Sequence, residues 1–166
     1  MAAIRELATF PNPVNEKAAR VVAGLVVVTA VVALLLQAPW LVWAMAVGFA
    51  LRVLSGPRFS PFGLLATKLV APRLGAPKLV PGPPKRFAQT MGLAMTLAAG
   101  VCLALGASTA GWVLVGLLVV AATLESVFAI CLGCLVFGAL QRAGVIPESV
   151  CEACNDITLR RAVRVG

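Results

Sequence analysis

Four long apolar runs, separated by short polar breaks, dominate the pattern of hydrophobic and polar positions along the chain. A run of roughly 20 apolar residues is long enough to cross the hydrocarbon core of a bilayer as a helix. The links 37–39 and 106–111 are short enough to make neighbouring helices antiparallel, and Asn15 is a candidate N-cap for the first helix. The pattern predicts an all-α membrane protein with four transmembrane helices in two hairpins. The predicted helices cover about residues 18–36, 40–54, 87–105 and 112–142.

The segment 55–86 differs from these runs because it is rich in proline and in basic residues. Ser60 and Pro61 are residue types preferred at the cap and first position of a helix, and Pro72 should end that helix. We expect this short helix to lie in the membrane interface, and we expect residues 81–84, with their three prolines, to form an extended strap. One face of the short helix should carry Phe62, Leu65 and Leu69.

Small residues recur along the third predicted helix at a spacing that favours close packing. Such rows let the backbones of two membrane helices approach each other. One row consists of Gly92, Thr96 and Gly100, and a second consists of Ala94, Ala98 and Cys102.

Composition supports the membrane interpretation. Hydrophobic residues make up 61% of the chain and charged residues only 12%, whereas soluble domains contain about 45–50% and about 25%. A net charge of +8 would also suit a nucleic-acid-binding protein. Here, however, the basic residues flank apolar runs and are not interleaved with aromatic residues, so no nucleic-acid partner is expected.

The distribution of basic residues predicts the topology. Neither short link contains Lys or Arg, and all fourteen basic residues lie on the other side of the predicted bundle. By the positive-inside rule, both termini and the segment 55–86 should face the cytoplasm. The chain is thus predicted to be a single polytopic membrane domain over residues 1–166, with a cytoplasmic tail at 143–166.

Four of the five cysteines form two C-x-x-C pairs, and they are the candidate catalytic residues. Two such pairs can exchange dithiol for disulfide or carry sulfur, can hold a tetrahedral metal site, or can be small packing residues. Both pairs should lie on or near the cytoplasmic side, where thiols are kept reduced, so permanent structural disulfides are not expected. No cofactor is predicted; the alternative is a zinc ion or an iron–sulfur cluster bound by all four. The pairs are Cys131 with Cys134, on one face of the fourth helix, and Cys151 with Cys154, in the tail.

Glu125 is the acidic residue within the fourth apolar run, near the predicted middle of the membrane. An ionised and unpaired carboxylate is costly there, so Glu125 should face the bundle and be either protonated or paired. Thr123 and Ser126 are candidate neighbours. A proton site and a structural interhelical hydrogen bond are equally compatible with the sequence. On one continuous helix, Glu125 would lie about 240° around the axis from Cys131 and about 180° from Cys134, so direct contact with either cysteine is not expected.

Motifs along nearly the whole chain resemble the bacterial membrane family known as domain of unknown function 4395. The resemblance implies a bacterial integral protein of the cytoplasmic (inner) membrane and implies no established reaction. The matching segments are residues 10–16 (FPNPVNE), 81–89 (PGPPKRFAQ), 131–134 (CLGC) and 151–156 (CEACND).

The function predicted from the cysteines is a thiol-based redox or sulfur-transfer module. In this hypothesis Cys151 and Cys154 meet a cytoplasmic thioredoxin-like or sulfurtransferase partner, and Cys131 and Cys134 pass electrons or sulfur onward. One alternative is a non-catalytic membrane component with a four-cysteine metal site. Another is a small-solute carrier centred on Glu125.

Overall fold

A computed structural model describes residues 12–150 and confirms an all-α protein with one very short two-stranded ribbon. The predicted cap at Asn15 is confirmed, because its Oδ1 accepts a hydrogen bond from the Lys17 backbone N–H at 3.1 Å. Predictions for residues 1–11 and 151–166 lie outside the described residues. The α-helices are α1 (Glu16–Leu36), α2 (Pro39–Ser55), α3 (Pro61–Leu64), α4 (Gly82–Ala104), α5 (Ser108–Phe128) and α6 (Leu132–Arg142).

The four longest helices pack around a shared apolar core. Helix α1 makes its main contacts with α5, α2 with α4, and α4 also with α5. Outside the core, large apolar side chains such as Leu35, Val47 and Val120 are exposed, as expected of a surface that faces lipid. Helices α1, α4 and α5 are each long and apolar enough to cross a membrane, whereas α2 is shorter, with 17 residues. The core contains Val26, Ala30, Ala33, Val42, Met45, Phe49, Ala99, Val115, Leu118 and Ala122.

Close packing of α4 against α2 depends on the first predicted row of small residues. A Cβ atom on Gly92 would come within 2.4 Å of the Phe49 ring, and one on Gly100 within 2.9 Å of Trp43. Thr96 lies between them and is buried, with its hydroxyl donating to the Gly92 carbonyl at 2.9 Å. The prediction is therefore confirmed for this row. It is wrong for the second row, whose Ala94 and Ala98 are exposed.

The predicted extended strap at 81–84 is wrong, because α4 already begins at Gly82. Pro83 and Pro84 fit the first turn of a helix, where the missing N–H groups have no intrahelical partner to lose. Strand β2 (Leu79–Val80) precedes this turn and pairs antiparallel with β1 (Val14–Asn15). Because α4 begins earlier than predicted, it is about one and a half turns longer than the predicted helix and includes Lys85.

The short helix after α2 begins as predicted, but it does not end at the predicted residue and its apolar residues differ in burial. The Ser60 hydroxyl accepts a hydrogen bond from the Gly63 N–H, and Pro61 occupies the first position. Helical backbone continues past Pro72 to Leu74 as a π-helical turn and a 3₁₀ turn, so Pro72 does not end it. The three predicted apolar residues do not share one environment. Phe62 packs on the core, whereas Leu65 and Leu69 are exposed.

The predicted fourth helix at 112–142 is wrong as a single element. Helix α5 ends at Phe128, and Ala129 takes a left-handed conformation with φ 59°. Its last turn is closed by a hydrogen bond from the Ile130 N–H to the Leu124 carbonyl at 3.0 Å. Helix α6 then starts at Leu132 in a new direction. With 11 residues it is about 16 Å long, too short to cross a bilayer.

Candidate functional site

The break between α5 and α6 places Cys131 and Cys134 at the start of α6. Cys131 is the N-cap, with extended backbone, and its Sγ accepts a hydrogen bond from the Cys134 N–H at 3.3 Å. The two sulfur atoms are joined in a disulfide, with the Cα atoms 5.2 Å apart. Cys131 is buried and Cys134 is partly exposed. The predicted arrangement, with both residues inside one helix, is therefore wrong.

Gly133, between the two cysteines, holds this pair against α4. A Cβ atom at Gly133 would lie 2.5 Å from the Ala88 Cα atom, so the two backbones are as close as a glycine allows. On the same side of α6, the rings of Phe137 and Phe87 pack edge to face with centroids 5.7 Å apart. These two contacts set the position of the disulfide relative to α4.

Cys131 and Glu125 line the same cavity, of about 280 Å³. Gln89, Met91 and Met95 of α4 form part of its wall. The prediction that Glu125 does not contact the cysteines depends on one continuous helix. Because the chain changes direction at Ala129, Cys131 lies on the side of the bundle that Glu125 faces.

Glu125 forms an ion pair with Lys85 across the contact between α5 and α4. The Lys85 Nζ atom lies 2.7 Å from the Glu125 Oε1 atom, and the side chains are only 10% and 15% exposed. The two neighbours predicted for Glu125 have other partners: Thr123 donates to the Val119 carbonyl, and the Ser126 carbonyl accepts from Arg20. The predicted requirement that Glu125 be neutral or paired is thus met by a residue that sequence reasoning did not consider.

Arg52 is a second buried cation beside this pair. It is 4% exposed, and its guanidinium lies 4.4 Å from the centre of the Phe49 ring. Its Nε atom donates to Gln89 Oε1 at 2.8 Å, and Nη1 donates to Ser60 Oγ at 3.0 Å. Gln89 also lines the cavity that contains Cys131. Arg52 therefore ties the end of α2 to α3 and α4 through neutral oxygen atoms.

From the sequence alone, Lys85 and Arg52 are predicted only to be charges that flank membrane helices. A usable pattern was nevertheless present, because Lys85, Gln89, Gly92 and Thr96 follow helical spacing on one face. Accepting Pro83 and Pro84 as first-turn residues would have extended α4 to include Lys85. The partner of Lys85 is set by the packing of α4 on α5, which the pattern of a single helix does not specify.

Arg20 adds a polar contact at the end of α5. Its Nε and Nη2 atoms donate to the carbonyls of Ser126 and Val127, both at 3.0 Å. A cation is favourable at a helix C-terminus, where carbonyl groups lack intrahelical donors. Arg20 therefore stabilises the end of α5 immediately before the break that positions the cysteines.

The other two candidate cysteines, Cys151 and Cys154, lie outside the described residues. Within residues 12–150 no three Cys, Asp or Glu side chains come together as a metal site. The four-cysteine metal site therefore stays a prediction. Cys102, on α4, is a partly buried free thiol.

A family model described as domain of unknown function (DUF4395) matches residues 14–142. This span contains α1 to α6, the disulfide and both buried cations, and it ends before Cys151. Comparison with curated proteins and with solved structures gave no match.

Proposed function

The chain belongs to the family of domain of unknown function 4395, and we propose that it is a membrane-embedded dithiol–disulfide exchange module centred on Cys131 and Cys134. The observation that carries this proposal is the bonded pair of sulfur atoms at the N-terminus of α6. A disulfide in this position contacts both the cavity and the protein surface, because Cys131 is buried and Cys134 is partly exposed.

The position of Cys131 favours its departure as a thiolate when the disulfide is attacked. The N–H of Cys134 already donates to its sulfur, and a helix N-terminus stabilises negative charge. A thiol with a stabilised anion is the better leaving group in thiol exchange. Cys134, the more exposed sulfur, is correspondingly the atom that an incoming thiolate reaches.

The second pair completes the proposed reaction. The Cys151 thiolate attacks Cys134 Sγ, the bond between Cys131 and Cys134 breaks, and Cys131 leaves as a thiolate. Cys154 then attacks Cys151 and releases Cys134. The first disulfide has gained two electrons and takes up two protons, and Cys151 and Cys154 now form the disulfide. A cytoplasmic protein with a thioredoxin-like dithiol would reduce that disulfide by the same two steps.

The course of the chain after α6 supports an approach of the two pairs. Gly144 has φ 76°, and the N–H groups of Val145 and Ile146 both donate to the Leu140 carbonyl. The chain therefore changes direction at the end of α6. Eight residues, 143–150, separate α6 from Cys151, and a link of that length extends at most about 26–29 Å, which is long enough for Cys151 to reach back to Cys134.

We expect a direct cross-link between the two pairs when the exchange is stopped halfway. In a Cys102→Ser background, Cys131→Ser with Cys154→Ser leaves Cys134 and Cys151. Mild oxidation with glutathione disulfide should join them, because this bond is the intermediate of the proposed exchange. Peptide mass spectrometry of the membrane-extracted protein measures the yield.

The matched control is Cys134→Ser with Cys154→Ser in the same background, which leaves Cys131 and Cys151. Because Cys131 is buried, the yield of this cross-link should be at least several-fold lower. Equal yields would contradict the assigned order of attack. Two results together would overturn the exchange proposal. No cross-link would form in either variant, and purified wild-type protein would carry about one metal ion or cluster per chain, as expected for a four-cysteine metal site.

We further propose that α2 crosses the membrane, which makes four crossings with both termini in the bacterial cytoplasm. Its 17 residues span about 25 Å, near the lower limit for a membrane helix. With only α1, α4 and α5 crossing, either the basic segment between α2 and α4 or the basic residues at the start of α1 would lie outside, against the positive-inside rule.

Reporter fusions should separate these two topologies. We expect fusions after Gly75 and after Gly166 to report the cytoplasm, and fusions after Gln37 and after Ser108 to report the opposite side. If α2 does not cross, the fusions after Gln37 and after Gly75 will report the same side of the membrane. That result would reduce the crossings to three.

A further inference from the structure

A second cavity, of about 160 Å³, lies beside the buried cations and is separate from the disulfide. It is enclosed by the start of α1, the end of α2, residue Thr67 and the start of α4, and Cys131 does not contribute to it. Its polar lining residues are Asn15, Arg52, Thr67, Lys85 and Gln89, with no acidic residue among the described residues that line it.

The charges of the described residues around this cavity do not balance. Among residues 12–150, Arg52 and Lys85 are both buried and Lys85 is paired with Glu125, while buried Glu16, next to Asn15, is paired with Lys78. Within residues 12–150, Arg52 contacts no carboxylate and is hydrogen-bonded to the neutral oxygens of Gln89 and Ser60. Two buried cations that share one nearby carboxylate leave an excess positive charge, which is costly to bury, so an anion bound near Arg52 would be stabilising.

The hydrogen-bonding groups left over at the cavity are donors. The Asn15 Oδ1 atom accepts from the Lys17 N–H and the Gln89 Oε1 atom accepts from Arg52, which leaves the amide nitrogens Nδ2 and Nε2 as donors. Thr67 uses its hydroxyl proton on the Gly63 carbonyl. In the described part of the chain, Arg52 Nη2 and both amide nitrogens have no hydrogen-bond acceptor.

We propose that this cavity binds an oxyanion through Arg52, Lys85, Asn15 and Gln89. The excess positive charge supplies affinity, and the donors match the several acceptor oxygens of a sulfate, a phosphate or a lipid phosphate group. Because the cavity lies at the basic end of the bundle, the oxyanion reaches it either from solution or as part of an anionic lipid headgroup. This site stands independently of the thiol chemistry proposed for Cys131 and Cys134.

Sulfate and anionic lipid serve as the two probes. Purified protein in a neutral detergent is titrated with sodium sulfate, with sodium chloride at equal ionic strength as the reference. At about 100 times the dissociation constant, a bound anion should raise Tm by about 5 °C. In a parallel series, the protein is placed in nanodiscs of phosphatidylcholine with or without phosphatidylglycerol. Stabilisation by sulfate identifies a soluble oxyanion, and stabilisation by phosphatidylglycerol alone identifies a headgroup.

Two variants keep the fold while changing the cavity. Asn15→Asp retains a good N-cap but replaces a donor with a carboxylate, and Gln89→Glu gives Arg52 an ionic partner. Both should weaken the binding of either probe at least 10-fold, which about halves the stabilisation at the same probe concentration, and Gln89→Glu should raise the Tm of the protein without added anion. Arg86→Gln, an exposed residue of the same helix, is the matched control and should respond like wild type. The proposal is overturned if neither probe stabilises the wild type, or if both cavity variants respond as the wild type does.

Discussion

Glu125→Leu is expected to destabilise the folded protein by about 3–5 kcal/mol, because it leaves Lys85 buried without its counter-charge. The ion pair is 2.7 Å long and about nine-tenths buried, so solvent screens it little. Nearby Arg52 increases the effect, since Glu125 also attracts that guanidinium. Unfolding in mixed detergent micelles, followed by circular dichroism, measures the loss.

The double variant Lys85→Met with Glu125→Leu distinguishes a lost ion pair from poor packing. Removing both charges should recover most of the stability, because replacing a buried pair with apolar residues is often close to neutral. Glu125→Gln should fall between wild type and Glu125→Leu, since the amide oxygen still accepts from Lys85 but carries no charge. A Glu125→Leu protein as stable as wild type would refute the structural role assigned to the pair.

Gly133→Ala is expected to force α6 away from α4 and to destabilise the protein by about 1–3 kcal/mol, the usual range for overpacking. The added methyl would meet the backbone of Ala88 at 2.5 Å, and backbone cannot move aside as a flexible side chain can. After reduction, Cys131 should also react faster with a membrane-permeant maleimide, because its cover by α4 is loosened. Alkylation rates followed by mass spectrometry measure this exposure.

Gly138→Ala, five residues later in the same helix, is the control for Gly133→Ala. A methyl group there meets no atom within 4 Å. It should leave the alkylation rate unchanged and be neutral or slightly stabilising, since alanine favours helix over glycine. If both variants behave alike, the close approach of α6 to α4 does not position the disulfide.

Prediction succeeded where one local property decided the structure. Asn15 and Ser60 cap helices because their side-chain oxygens satisfy N–H groups within three residues along the chain. Gly92 and Gly100 lie at the contact with α2 because a row of small residues is the surface to which a neighbouring helix can come close. The start of α4 differs from the prediction because a run of three prolines favours extended chain but is equally compatible with the first turn of a helix.

The break at Ala129 had no comparable local pattern. Residues 112–142 are mostly apolar and contain no proline, so no proline interrupts a helix there. Contacts with other elements accompany the break: Arg20 binds the last carbonyls of α5, and Gly133 fits against Ala88. The break also changes the candidate site, because the relative positions of Glu125, Cys131 and Cys134 differ from those on one continuous helix.

The sequence by itself determined that this is a helical protein of the domain of unknown function 4395 family with apolar runs long enough to cross a membrane, and which residue types are available for chemistry. Hydrophobic run length, capping residues and cysteine spacing are local, and local chemistry is enough to specify them. Only the tertiary structure decided that Lys85 pairs with Glu125, that Arg52 is buried with no contacting carboxylate among residues 12–150, and that Cys131 shares a cavity with Glu125. The contacts of Lys85 with Glu125 and of Arg52 with Gln89 join residues about 40 positions apart on different helices. They follow from how helix faces pack, and the periodicity of one helix does not specify the face against which it packs.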